Sequence, residues 1–102
     1  MIREIQECRR ELTALCRRFH VQRLELFGSA MGHDFDGGTS DLDFLVEFEP
    51  MPAGAYASAF FEFKESLEQL FRRRVDLVVP SAIRNPWFRA GIERNKALLY
   101  AA

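Results

Sequence analysis

Three aspartates stand in or beside stretches that are otherwise built for the interior of a sheet. Asp41 and Asp43 open the run Leu42-Asp43-Phe44-Leu45-Val46-Glu47-Phe48, and Asp76 interrupts Val75-Asp76-Leu77-Val78-Val79. Apolar runs of this length, bounded by turn formers, read as strands. Alternate residues of a strand share a face, so Asp41 and Asp43 project together, about 7 Å apart along the chain. Asp76 projects from its strand opposite to Val75 and Leu77. A carboxylate in an apolar strand is costly to bury without a partner, and three on neighbouring strands repel one another. A divalent cation resolves both problems. Hard oxygen donors suit Mg²⁺, which takes one or two carboxylates together with substrate phosphates. Two such ions roughly 3.5–4 Å apart can activate an attacking oxygen and stabilise a leaving one.

The surrounding pattern supplies the fold class. Ile2, Ile5, Cys8, Leu12, Leu15, Cys16 and Phe19 recur at helical spacing, which predicts an amphipathic helix over residues 2–19. Residues 22–27 alternate and stop at Gly28, predicting a strand, and residues 29–32 suit a short helix or turn. Residues 33–40 are turn formers and predict a loop; residues 42–48 predict a second strand, ended by the break from Pro50 to Gly54. A long helix is expected over 56–71, with Phe60, Phe63, Leu67, Leu70 and Phe71 on its core face. A third strand is expected over 75–79, a helix over 86–96 opened by Pro86, and a short strand over 97–100. The order predicts an α/β (α+β) fold, a small mixed β-sheet of three to four strands flanked by helices. At 102 residues the chain reads as one domain, 1–102.

Composition narrows the function. The net charge is −1, so the basic excess of a free-standing nucleic-acid binder is lacking and no direct nucleic-acid binding is expected. The arginines cluster at Arg9-Arg10, Arg17-Arg18 and Arg72-Arg73-Arg74, which reads as solvated helix faces or as a surface for an acidic partner or phosphates. No apolar stretch approaches the roughly 20 residues of a spanning helix, and the N-terminal residues carry alternating charge, so a soluble, cytoplasmic protein is expected. Cys8 and Cys16 lie two turns apart on one predicted helix, too far for a disulfide, and read as core or half-buried thiols. Asp34, Asp36 and Asp41 with Gly37-Gly38 resemble a calcium loop only superficially. Counting from Asp34, the positions needing Gly and Glu hold Thr39 and Leu45. His20 and His33 read as structural or solvated, and Trp87 as core or partner surface.

Gly28-Ser29 follows a strand directly. Glycine permits close backbone approach to a phosphate, N–H groups at a strand-to-helix turn bind anions, and a serine hydroxyl adds a donor. Leu26-Phe27-Gly28-Ser29, eleven intervening residues and then Asp41-Leu42-Asp43-Phe44-Leu45-Val46 together resemble the signature of the DNA polymerase beta-like nucleotidyltransferase superfamily. Within it the chain resembles the minimal nucleotidyltransferases, called MNT. Val75-Asp76-Leu77-Val78 is similar to their third carboxylate strand, and Ile83 to Tyr100 to their tails. The resemblance spans essentially the whole chain. It implies a polymerase beta-like fold. It implies that Gly28 and Ser29 bind the nucleotide triphosphate, and that Asp41, Asp43 and Asp76 are catalytic residues and ligands of two Mg²⁺ ions. Asp76 would help deprotonate the acceptor hydroxyl. It further implies ATP as substrate and a HEPN-domain protein as partner, with AMP transferred to that toxin by an antitoxin-type enzyme. Two departures stand out: many relatives have ten residues between the serine and the first aspartate, and many carry arginine where this chain has Ala30 and Met31. They motivate an alternative, a non-catalytic antitoxin that neutralises its partner by binding.

Overall fold

In the structure, a computed structural model, residues 3–31 and 41–102 are described, apart from the side chains of Ser29 and Ala30. The loop expected over 33–40, with His33, Asp34 and Asp36, lies outside the described residues, as do Met1 and Ile2.

The elements run α1 (Arg3–Glu7), α2 (Arg9–Arg18), β1 (Val21–Phe27), a 3-10 turn (Gly28–Met31), β2 (Leu42–Phe48), α3 (Ala53–Phe71), β3 (Val75–Val78), a second 3-10 turn (Pro80–Ala82), α4 (Pro86–Arg94) and β4 (Ala97–Ala101). The single helix expected over 2–19 is interrupted at Cys8. Its N–H is shared between the Glu4 and Ile5 carbonyls, both at 3.2 Å, so one turn tightens and the axis breaks. The hydrogen-bonded path continues, because Leu12 N–H donates to the Cys8 carbonyl at 2.8 Å. Helix α2 ends where His20 turns left-handed, with φ of 58°. The His20 carbonyl then accepts from Glu49 N–H at 2.9 Å. The long helix α3 begins three residues before the expected 56, with Gly54 inside its first turn. The first N–H groups of a helix need no internal partner, so glycine is tolerated there once Pro52 has set the direction. Its other end is closed by Arg72 at φ of 53°. The expected strand over 75–79 ends at Val78, and the last helix ends at Arg94.

Among the described residues the sheet has four strands in the order β3-β2-β1-β4. Strand β1 pairs antiparallel with β2 and β4, while β2 and β3 are parallel, so the chain must cross over between them, and α3 is the crossover. Beyond a bulge between Val21 and Arg23 that keeps Val21 in the core as well, the period-two rule divides the sheet. Leu24 and Leu26 of β1, Leu42, Phe44 and Val46 of β2, Val75 and Leu77 of β3 and Leu99 of β4 face one core. That core is completed by Ile5, Leu12 and Cys16 and by the α3 stripe Phe63, Leu67 and Phe71. Phe60 and Leu70 pack at its margin. Phe44 stacks on Phe71 at 6.1 Å, and Phe63 meets Phe48 edge-on at 5.9 Å.

The intervening residues Phe27, Leu45 and Val78 face the other side, where Ile92 of α4 and Ile83 pack on them. Burial raises the pKa of the Cys16 thiol to about 12, as befits an inert core group; Cys8 is also a free thiol, half-buried. No helix among the described residues is long and apolar enough to cross a membrane.

Phe63 is completely buried. Replacement by Ala removes a ring that packs on Phe19, just after α2, and on Phe48 of β2, and is expected to cost about 3–5 kcal/mol. Urea denaturation should give a lower midpoint with an unchanged slope.

Candidate active site

The site forms where β1 ends and β2 and β3 begin. Because Leu42, Phe44, Val75 and Leu77 are committed to the core, Asp43 and Asp76 must emerge from the opposite face. The strand register sets them side by side: Asp43 pairs with Asp76 across the parallel ladder and with Phe27 across the antiparallel one. Leu42 N–H donates to the Arg74 carbonyl at 3.0 Å, which fixes the heads of the two strands against each other.

Next to Phe27 the chain turns through Gly28 at φ of +79°. A β-carbon at Gly28 would lie 2.1 Å from Asp43 Oδ2, so the carboxylate occupies the space that any other residue's side chain would need. Glycine is required here for both conformation and contact. Burial, joined by the like charges of Asp76 and Asp41, raises the pKa of the Asp43 carboxyl to about 6. Asp76 and Asp41 are exposed, Asp41 standing just before β2.

Helix α4 forms the facing wall. Asn85 caps it: its side-chain oxygen accepts from the N–H groups of Trp87 at 2.9 Å and Phe88 at 3.2 Å, and Pro86 occupies the first turn. Its far end is held by ion pairs. Lys96 Nζ lies 3.0 Å from Glu25 and 3.1 Å from Glu93, and Arg23 lies 3.4 Å from Glu25. Burial pushes the Glu25 carboxyl up, but hydrogen bonds from Lys96 and Arg23 outweigh it and hold the group below its ordinary value. Between wall and sheet lies a cleft of about 600 Å³, with Gly28, Asp43 and Asp76 on one side and Trp87, Phe88 and Asn95 on the other.

Of the five residues expected at the site, Gly28, Asp43 and Asp76 line this cleft. Asp41 does not line it, although its charge reaches Asp43. The Ser29 side chain lies outside the described residues. Among the described residues no group of three His, Cys, Asp or Glu is gathered to hold an ion unaided. Two adjacent carboxylates, mutually repelling, open to the cleft and with no Lys or Arg among its described lining residues, nonetheless fit a hard cation whose other oxygens come from substrate phosphates. The sequence reading missed the aromatic wall. Trp87 is 84 % exposed and Phe88 50 % exposed. The signal was present in Asn-Pro-Trp-Phe, where two adjacent aromatics opening a helix cannot share one buried face.

A mixed sheet of this order, flanked by helices and opening its strand ends on a carboxylate-floored cleft, places the protein in the class of nucleotidyl-transferring folds. Comparison with known proteins makes this specific. The family model for the nucleotidyltransferase domain matches residues 8–100. MJ0128 of Methanocaldococcus jannaschii, a candidate protein adenylyltransferase, is 35% identical over 95 residues, covering 92% of this chain and 93% of that protein. The protein adenylyltransferase MntA of Thermococcus cleftensis is 38% identical over 71 residues, 70% of this chain and 68% of its own length. The solved structure of a candidate minimal nucleotidyltransferase superposes with a TM-score of 0.72 at 29% identity, covering 90% of this chain and 89% of the other. An MNT antitoxin in complex with a tri-AMPylated HEPN toxin of Shewanella oneidensis shares the fold, with a TM-score of 0.64 at 19% identity over 95% of this chain and 72% of that one. The chain belongs to the nucleotidyltransferase domain family, and it is an enzyme of that type.

Two outcomes follow from the geometry. The Asp43 carboxyl, ordinarily at 3.8, holds its proton up to about 6 in the folded state. The folded protein therefore binds more protons than the unfolded chain inside that window, and stability falls as pH rises through it. Asp43→Asn should melt higher than wild type at about pH 7.5 without divalent cations, the difference vanishing near about pH 4. A melting difference independent of pH would contradict the repulsion. Gly28→Ala should lose more than the roughly 1 kcal/mol of left-handed strain, and the additional Asp43→Ala change should recover part of that loss in a double-mutant cycle.

Proposed function

We propose that this chain is an antitoxin that transfers AMP from ATP onto a partner protein, a HEPN-domain toxin. The carrying observation is the Asp43–Asp76 pair, set side by side by the parallel register and facing the Gly28 notch in an open cleft. The relatives named as protein adenylyltransferases and the MNT–HEPN complexes that share the fold support the choice of donor and partner. A toxin-antitoxin structure with AMP-PNP that shares the fold supports an adenine nucleotide. In this reading residues 1–102 are the catalytic domain, and the reaction takes place in the cytoplasm.

The chemistry follows from the residues. Gly28 brings the backbone close to the triphosphate, with the Ser29 hydroxyl as a further donor. Asp43 and Asp76, with Asp41, would hold Mg²⁺. When bound, Mg²⁺ offsets the charge of the phosphates and lowers the pKa of a coordinated hydroxyl. Asp76 accepts the proton of the acceptor hydroxyl. The acceptor oxygen forms a bond to the α-phosphorus as the bond from that phosphorus to the bridging oxygen breaks, and pyrophosphate leaves with the electron pair. Asp43 must be ionised for this role, so protons compete with Mg²⁺ below about 6.

The test is incubation with α-labelled ATP and Mg²⁺, with and without the cognate HEPN protein. Label should appear on the partner with wild type and be lost in Asp41→Asn/Asp43→Asn. Mg²⁺ should also raise the melting temperature at about pH 7.5 and not at about pH 5. Unlabelled partner that is nonetheless bound and neutralised would point instead to a binding antitoxin, the reading that Ala30 and Met31 motivate.

A further inference from the structure

The acidic groups of the cleft are on its sheet side, beside Phe27 and Gly28, and α4 contributes Trp87, Phe88 and Ile92, so the two sides have different work to do. Phosphates belong at the sheet, where the glycine notch and the carboxylate pair lie. A cleft of about 600 Å³ then leaves room for the rest of a nucleotide, and what it meets across the cleft is Trp87. An indole is among the most rewarding side chains to bury, since aromatics remove 150–250 Å² from water. This one is 84 % exposed, while the core beneath the sheet is filled without it. Its backbone is not loose: the Asn85 cap and Pro86 anchor the turn that carries it, with Trp87 N–H donating at 2.9 Å. The backbone that presents the ring is fixed while the ring itself stays open to the cleft.

We infer that Trp87 is the stacking platform for the nucleobase of the nucleotide substrate. The inference rests on the transferase reading and adds the residue that holds the base. Stacking suits this wall because no Lys or Arg is among the described lining residues, and the non-phosphate part of the ligand is met by Trp87, Phe88, Ile92 and Asn95. The Asn95 amide can both donate and accept, as a base edge requires. Gly91 keeps the space open on the same helix: a β-carbon there would meet nothing within 4 Å. Gly91 lines the cleft, so a larger residue there takes up space beside the ligand without displacing its neighbours.

Trp87 is the chain's one tryptophan, so its emission reports on the site directly. Titration with ATP and Mg²⁺ should change the emission saturably. Tripolyphosphate and Mg²⁺, which carry the charge without the base, should bind by calorimetry without that change. Trp87→Ala should weaken ATP binding roughly 5- to 100-fold and leave tripolyphosphate binding unaltered, Trp87→Phe should restore most of the loss, and Gly91→Leu should weaken ATP selectively. ATP binding with silent emission and an unchanged Kd in Trp87→Ala would overturn the platform and leave the transferase reading intact. Equal losses for ATP and tripolyphosphate in Trp87→Ala would also overturn it, marking the residue as a support for the wall. Failure of wild type to bind ATP with Mg²⁺ would remove both readings.

Discussion

The parallel pairing of β2 with β3 is the contact on which the rest depends. It puts Asp43 beside Asp76, and that juxtaposition is unfavourable in itself: burial and two neighbouring charges all raise the Asp43 pKa. The arrangement persists because the same register packs Leu42, Phe44, Val75 and Leu77 into the core on the other face. A slip of one residue would send the carboxylates into the core and the leucines into the cleft. Burial of the apolar set far outweighs the repulsion, so the site is held in place by residues that never touch it. Helix α3 completes the device, since its stripe of Phe63, Leu67 and Phe71 covers the crossover that parallel strands require.

The second face is held differently. Helix α4 is attached through a small apolar cluster of Phe27, Leu45 and Ile92 and through a charged cluster around the buried Glu25. Glu25 emerges on the same side as Asp43 because Leu24 and Leu26 take the core positions of β1. With Lys96 and Arg23 against it, the charge is matched, whereas Asp43 meets only like charges among its described neighbours in the same sheet. One acidic group is thus satisfied within the protein, whereas the other is left facing like charges, which in our proposal a cation brought with the substrate offsets. The ion pairs also tie the C-terminal end of α4 to β1 through Lys96, which bridges Glu93 and Glu25.

Much of this was legible from residue patterns. The strands over 42–48 and 75–78, the α3 core stripe and the divided faces all follow from period two and period 3.6, because burial enforces those periods. The differences lie at element ends and at one interruption: β3 stops at Val78, α4 at Arg94, the first helix is interrupted at Cys8 and α3 starts at Ala53. The interruption at Cys8 is a backbone adjustment with no side-chain signature, and Gly54 joined α3 because a first turn tolerates glycine. Within the site, the pairing of Asp43 with Asp76 could be anticipated from their places in two strands. Alternation alone would have Asp41 and Asp43 project together, but Asp41 lies just before β2, exposed, and only Asp43 lines the cleft.

Sequence by itself determined the alternation that drives three carboxylates out of a hydrophobic core, the helix that must bridge two parallel strands, and the glycine beside them, since these are local consequences of side-chain polarity and backbone freedom. Only the tertiary structure decided that Gly28 is filled by the Asp43 carboxylate and that Trp87 stands across the cleft from it. Those relations join residues 15 and 44 positions apart in the chain. Such contacts arise from how layers stack and where helices end, which no local periodicity encodes.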